Sequence, residues 1–426
     1  MKKIIKPGFI DSHTHLVGYG LGKKKIDISN AKSKEEAFEK IRVNLDKEEK
    51  DIIIAINWDE SKWEKQEFPT RRELDAINRE VPIILRRICG HIAVCNTPAL
   101  KKIPKKYPIE MESGIISEEA VLYIDEVFPP SYQDIKEAIV IAQDDMLKLG
   151  IIGVNDIMTP EYFRAYKDLD KEGMLKLRVR AFINDTHISE IEELKDGTNI
   201  KLGGIKTFLD GSIGARTAAL REFTFDNGKK GVLIHSDKYL LDILLYAEDR
   251  DYQVIMHAIG DRAISQALDV ISNFPDGNRL KHRIEHFELA TDEDIERAVD
   301  YNVILSMQPN FIRNWSLPGG MYSKRFKKNF EKNNRIGKIY KLGGIIVFGS
   351  DGMPYSPLYG IESVVHAPFK EQRINIETAI KLYTENGLYV SGWDDLDWKS
   401  YSVKIDDKGI AETVISGDVV YRRVDA

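Results

Sequence analysis

Short runs of apolar residues alternate along most of this chain with stretches whose apolar positions recur every three or four residues. The first pattern predicts buried strands and the second amphipathic helices; their alternation is the signature of βαβ units and a parallel sheet. Strands are expected at 9–13, 153–157, 177–183, 204–209, 253–257, 282–286, 303–308 and 345–349. Helical stretches such as DRAISQALDVISNF and TDEDIERAVDY lie between them, and the second opens with Thr291 three residues before Asp294, a capping-box-like start. Eight such strands suffice to close a barrel. The expected fold is therefore α/β, a distorted TIM-like (β/α)8 barrel.

The spacing is uneven. Residues 52–130 hold far more chain than one crossover helix needs, with strand-like segments IIIAINW and VPIILRR of their own. We read them as a subdomain inserted after the first strand of a barrel spanning 8–400. The tail, 401–426, alternates in SVKI and in ETVISGDVVYRR, two expected strands joined by the turn DDKG. With a short β segment at 1–7 it forms a small, reduced β-sandwich appendage.

Composition narrows the function classes. The 426 residues, 42% hydrophobic and 31% charged, suffice for a large core. A formal net charge of -6 without a long basic run speaks against a nucleic-acid partner. The opening MKKIIKPGFID meets Asp11 before a signal-peptide core could form, and no run of about 18 apolar residues suggests a membrane span. Cys89 and Cys95 are the only cysteines, too few for a disulfide scaffold, so a reducing cytoplasm is expected.

Candidate chemistry gathers at the strand ends. His13 and His15 follow an apolar segment and, two apart on a strand, point to one face, where imidazoles suit zinc and its neighbours. His257, His286 and Asp351 each end an apolar run, where barrel active sites lie. HxH alone is a weak signal; these coincidences strengthen it. Lys206 sits in the apolar strand GGIKTFLDGS. An outward-facing or partnered lysine is the plain reading. A desolvated one would have a lowered pKa and could take up carbon dioxide as a carbamate bridging two cations.

In this order the pattern resembles the amidohydrolase superfamily, and within it the YtcJ-like branch, amidohydrolase family 3, which includes N-substituted formamide deformylases. The matching stretches are GFIDSHTHL, NWDESKW with PTRRELD, RRICGHIAVCNTPAL, SGIISEEAV, IKTFLDGSIGARTAAL, HAIGDRAI, RIEH, MQPNF and FGSDGMP, spanning nearly the whole chain. The resemblance implies hydrolysis at carbon–nitrogen bonds by water activated as hydroxide. It also implies one or two divalent ions, zinc by default. His13, His15 and Asp351 would hold the first, His257 and His286 the second, with carboxylated Lys206 bridging. Asp351 would also shuttle the proton. Only about a dozen residues precede His13, whereas relatives carry several strands there, and the tail lacks the usual Gly-Lys-x-Ala-Asp-Leu segment.

Other residues have two readings each. His91 is a carbonyl-polarising donor over the metals or a histidine capping an inserted strand; a separate zinc site with Cys89 and Cys95 lacks a fourth ligand. Arg216 pairs with a substrate carboxylate or ties its loop to Glu222 or Asp226. Asp210 is expected at the active-site mouth, Trp58 at a substrate pocket or in surface packing. Gln308 could offer its amide to substrate. Glu285 is expected in a structural pair near Arg283. The expected partner is a small molecule, with homo-oligomerisation left open. Deamination, lactone opening, phosphoester hydrolysis and a non-catalytic barrel scaffold are the alternatives, since loops set the chemistry of barrels.

Overall fold

A computed structural model describes residues 3–45, 51–88, 92–104, 109–117, 119–122, 124–274, 278–326 and 328–424. His91 and Cys89 lie outside them. Two compact units emerge, one from residues 1–17 with 139–426 and the other from 18–138.

In the first unit eight parallel strands form one sheet, each beside its sequence neighbour. In chain order they are β1 (Phe9–Thr14), β2 (Ile151–Met158), β3 (Arg178–Asn184) and β4 (Ile200–Phe208), then β5 (Gln253–Ala258), β6 (Arg283–His286), β7 (Ile304–Met307) and β8 (Ile345–Phe348). All eight expected strands are present, because strands buried on both faces read as continuous apolar runs. The sheet is a nearly closed barrel. At the seam between β8 and β1, side chains complete the junction: Asp11 accepts from the Ser350 N–H at 2.9 Å and hydroxyl at 2.5 Å. Asp351 N–H donates to the His13 carbonyl at 3.0 Å. Gly349 permits this approach, since a Cβ there would stand 2.6 Å from His13.

Helices follow the strands as expected. Asp261–Ile271 buries nearly all of one face, and Asp292–Asp300 starts with the capping box of Thr291 and Asp294. The chain ends meet in a four-stranded antiparallel sheet ordered Lys3–Ile5, Ser402–Asp406, Gly409–Ile415, Asp418–Arg422. The tail thus contributes three strands, not the two expected. DDKG makes the first turn, while Ser416 and Gly417, at φ 53° and 87°, make a second that interrupts ETVISGDVVYRR.

The second unit holds a six-stranded sheet and includes the expected segments IIIAINW and VPIILRR as Ile53–Trp58 and Ile83–Arg87. Trp58 is fully buried in its core with Trp63, Phe38 and Leu74, its indole N–H donating to the Leu85 carbonyl at 3.2 Å. That corrects the expectation of Trp58 as a substrate-pocket residue. Among the described residues no helix is long and apolar enough to cross a membrane.

Asp156 on β2 is buried beneath the turn out of β1. It accepts from Leu16 N–H at 2.8 Å, the Thr14 hydroxyl at 2.9 Å and the Tyr166 hydroxyl at 3.0 Å. Burial nevertheless pushes its carboxyl up to about 7. A folded pKa above the unfolded value, about 4, favours folding at low pH, and that contribution is lost as pH rises towards 7. Asp156→Asn should therefore gain on the wild type by about 2–3 kcal/mol between pH 5 and pH 8. Urea midpoints of the metal-free proteins at both values measure it; an unchanged gap would refute the assignment.

Candidate metal centre

The carboxyl ends of the barrel strands open into a cavity of about 340 Å³. His13, His15, His257, His286 and Asp351 all line it. His13, His286 and Asp351 form its compact group, each offering a ligand atom within 4.8 Å of the others. His15 Nε2 lies 3.4 Å and His13 Nε2 3.8 Å from the same oxygen, Asp351 Oδ1. Ligands about 2.0–2.2 Å from one cation would stand about 3–4 Å apart, the spacing found here. His257 joins from the other side, its ring centroid 4.6 Å from that of His286.

Neighbouring side chains decide which nitrogen each histidine offers. The Glu285 carboxylate can only accept, so His13 Nδ1–H donates to it at 2.5 Å and leaves Nε2 for a cation. Gln308 Oε1 lies 2.7 Å from His286 Nδ1, and its Nε2 donates to the Ser306 carbonyl at 3.3 Å. That orientation makes His286 Nδ1 the donor and again leaves Nε2. His257 Nε2 instead bonds the Gly211 carbonyl at 3.1 Å, leaving Nδ1. Glu285 is held by Arg283 at 2.8 Å, the ion pair expected, but its second oxygen's work on His13 was not foreseen.

Electrostatics keep the imidazoles neutral, the form that ligates. Burial, then the nearby Lys206, lowers His13 and His286 well below the ordinary imidazole range, although His257 and His13 weigh more than Lys206 on His286. The same two causes bring His257 to about 3 and His15 to about 4. Burial raises the Asp351 carboxyl to about 7. Lys206 is fully buried and brought down to about 8 by desolvation. Its Nζ has no hydrogen-bond partner among the described residues. A buried amine with no hydrogen-bond partner among the described residues, together with neutral imidazoles and a carboxyl, is a donor set whose chemistry fits a divalent cation. His286 and Asp351 also sit at φ 71° and 51°, the left-handed strain that clusters at functional sites.

Three expected substrate residues are occupied elsewhere. Gln308 is fully buried as the support of His286, so its amide does not reach a substrate. Arg216 is locked to Asp226 by two bonds of 2.6 and 2.8 Å, the structural one of its two expected readings. Asp210 is buried and accepts from the N–H groups of Ala219, Ile259 and Gly260, stitching loops together behind His257. The cavity wall comes instead from residues the sequence reading passed over, including Phe208, Phe311, Trp315, Tyr322 and Glu288. Glu288, two positions beyond His286 in an apolar FEL segment, was the one with a readable signal.

The family model described as the amidohydrolase family matches residues 3–421. The Bacillus subtilis (strain 168) protein named as amidohydrolase YtcJ is 27% identical over 99% of this chain and 89% of its own length. An N-substituted formamide deformylase of Arthrobacter pascens is 22% identical over 92% of this chain and 80% of its own. Among solved structures, an uncharacterized metal-dependent hydrolase from Pyrococcus furiosus is similar at a TM-score of 0.81 and 29% identity, covering 92% of this chain and 83% of that one.

Proposed function

The chain belongs to the amidohydrolase family, a family of hydrolases, and from that premise we propose that it cleaves a carbon–nitrogen bond in an amide, formamide or cyclic amide. The observation that carries the reading is the convergence of His13, His286 and Asp351 at the barrel mouth, with the buried Lys206 amine, which has no hydrogen-bond partner among the described residues, nearby.

His13, His15 and Asp351 would hold one divalent cation, zinc by default, and His257 and His286 a second. Lys206, carboxylated by carbon dioxide, would stand between them. Bound there, such ions lower the pKa of water and polarise a carbonyl. The chain's own residues do the rest. Glu285 and Gln308 fix the imidazoles of His13 and His286. Asp351 Oδ takes a proton from the attacking water and passes it to the leaving nitrogen. Apolar and aromatic side chains around the cavity keep other water away from the reacting carbonyl. A small molecule is the substrate, and the cysteine content suits a reducing compartment.

The relative named for N-substituted formamides directs the first probes. N-formyl and N-acyl amines should be hydrolysed, with activity lost on chelation and restored by zinc. Turnover of aryl esters, lactones or phosphoesters alone, or amide turnover indifferent to chelation, would contradict the proposal.

A further inference from the structure

Away from the metal ligands, the cavity wall holds a carboxylate that no step above uses. Glu288 is only 3% exposed yet lines the cavity. Its Oε2 accepts from the Tyr322 hydroxyl and from Asn334 Nδ2 at 3.3 Å. Among the described residues Oε1 receives no hydrogen bond, and no lysine or arginine pairs with the side chain. The charged groups that bear on it most, Asp210 and Asp351, are themselves acidic.

An acceptor oxygen at the cavity wall that no protein donor reaches is open to a donor from a bound molecule. Phenol and amide fix one oxygen and leave the other free, and the cavity that Glu288 lines is also bounded by Phe311, Trp315, Met321, Ile213 and Ile259. Aromatic rings run from the metal ligands towards it. His286 stacks on Phe311 at 6.0 Å, Phe311 meets Trp315 at 4.5 Å, and Trp315 meets Tyr322 at 6.1 Å. A row of aromatic rings ending at a carboxyl group suits an organic cation, since rings attract cations and a carboxylate pairs with N–H donors.

We propose that Glu288 recognises a protonated amine carried on an aromatic or aliphatic body, so that the substrate bears a second nitrogen besides the one cleaved. The proposal rests on the hydrolase reading for what happens at the other end of that body. Glu288 is a binding residue here, with Tyr322 as its positioning residue.

Two probes that cannot be hydrolysed, 4-methylbenzylamine and 4-methylbenzyl methyl ether, test this by calorimetric binding to the zinc-loaded full chain. The wild type should bind the amine about tenfold more tightly or better, the range of a hydrogen bond to a charged group. Glu288→Gln should remove most of that preference at unchanged metal content, and Tyr322→Phe should reduce it. Equal binding of the two probes by the wild type, or a preference surviving Glu288→Gln, would overturn the proposal. Should Glu288→Gln lose metal, the wild-type preference and its fall in Tyr322→Phe decide. Preference for the amine without amide hydrolysis would refute the hydrolase reading alone; hydrolysis without that preference would refute this one alone.

Discussion

Asp351→Asn is expected to lower kcat by about 10²–10⁴-fold, the range lost when a positioned proton carrier is removed. The substitution keeps the size of the side chain and one oxygen beside His13 and His15, which lie 3.8 and 3.4 Å away. What disappears is the carboxylate that takes the proton from water and returns it to the leaving nitrogen. Some metal should remain bound, because histidines and Lys206 supply the other ligands. Metal analysis beside steady-state kinetics separates the two effects. Turnover within about threefold of the wild type would remove Asp351 from the proton pathway.

Lys206→Met should abolish turnover while leaving the fold intact or more stable. The wild-type amine is fully buried and has no hydrogen-bond partner among the described residues, a defect costing about 1–3 kcal/mol. Methionine fills similar volume without a polar atom. The metal-free variant should therefore melt at or above the wild-type temperature, while its metal content falls and hydrolysis is lost. A residue that serves function at the expense of stability behaves in this way. Calorimetry of the metal-free proteins and metal content of the loaded ones test it. A variant that melts well below the wild type yet keeps full metal and activity would make Lys206 structural.

The barrel was legible in the sequence because its strands are buried on both faces and so read as uninterrupted apolar runs. His257, His286 and Asp351 stood out for the same reason, each a polar residue ending such a run. The tail was miscounted because Ser416-Gly417 turns the chain without a longer break in the alternation. Gln308 and Asp210 show a deeper limit. Sequence places a polar side chain near a strand end but does not tell whether a neighbour already claims it. Here His286 and three backbone N–H groups do. Trp58 belongs with them: expected at a pocket or in surface packing, it is a core residue, a choice that an indole leaves open until its neighbours are known. The cavity wall was hidden for another reason. Phe311, Trp315 and Tyr322 come from short helices at Pro309–Trp315 and Met321–Arg325, too brief for periodicity to single out a face.

These expectations share one premise, that side chains from β1, β4, β5, β6 and the end of β8 serve the same cation site. Anomalous diffraction from zinc-loaded crystals addresses it directly. The account predicts one or two peaks at the barrel mouth, one about 2.0–2.2 Å from His13 Nε2 and an Asp351 oxygen and that one or a second equally close to His286 Nε2, with added density on Lys206 Nζ. Zinc bound elsewhere on the chain, with those side chains making no contact to it, would contradict the account.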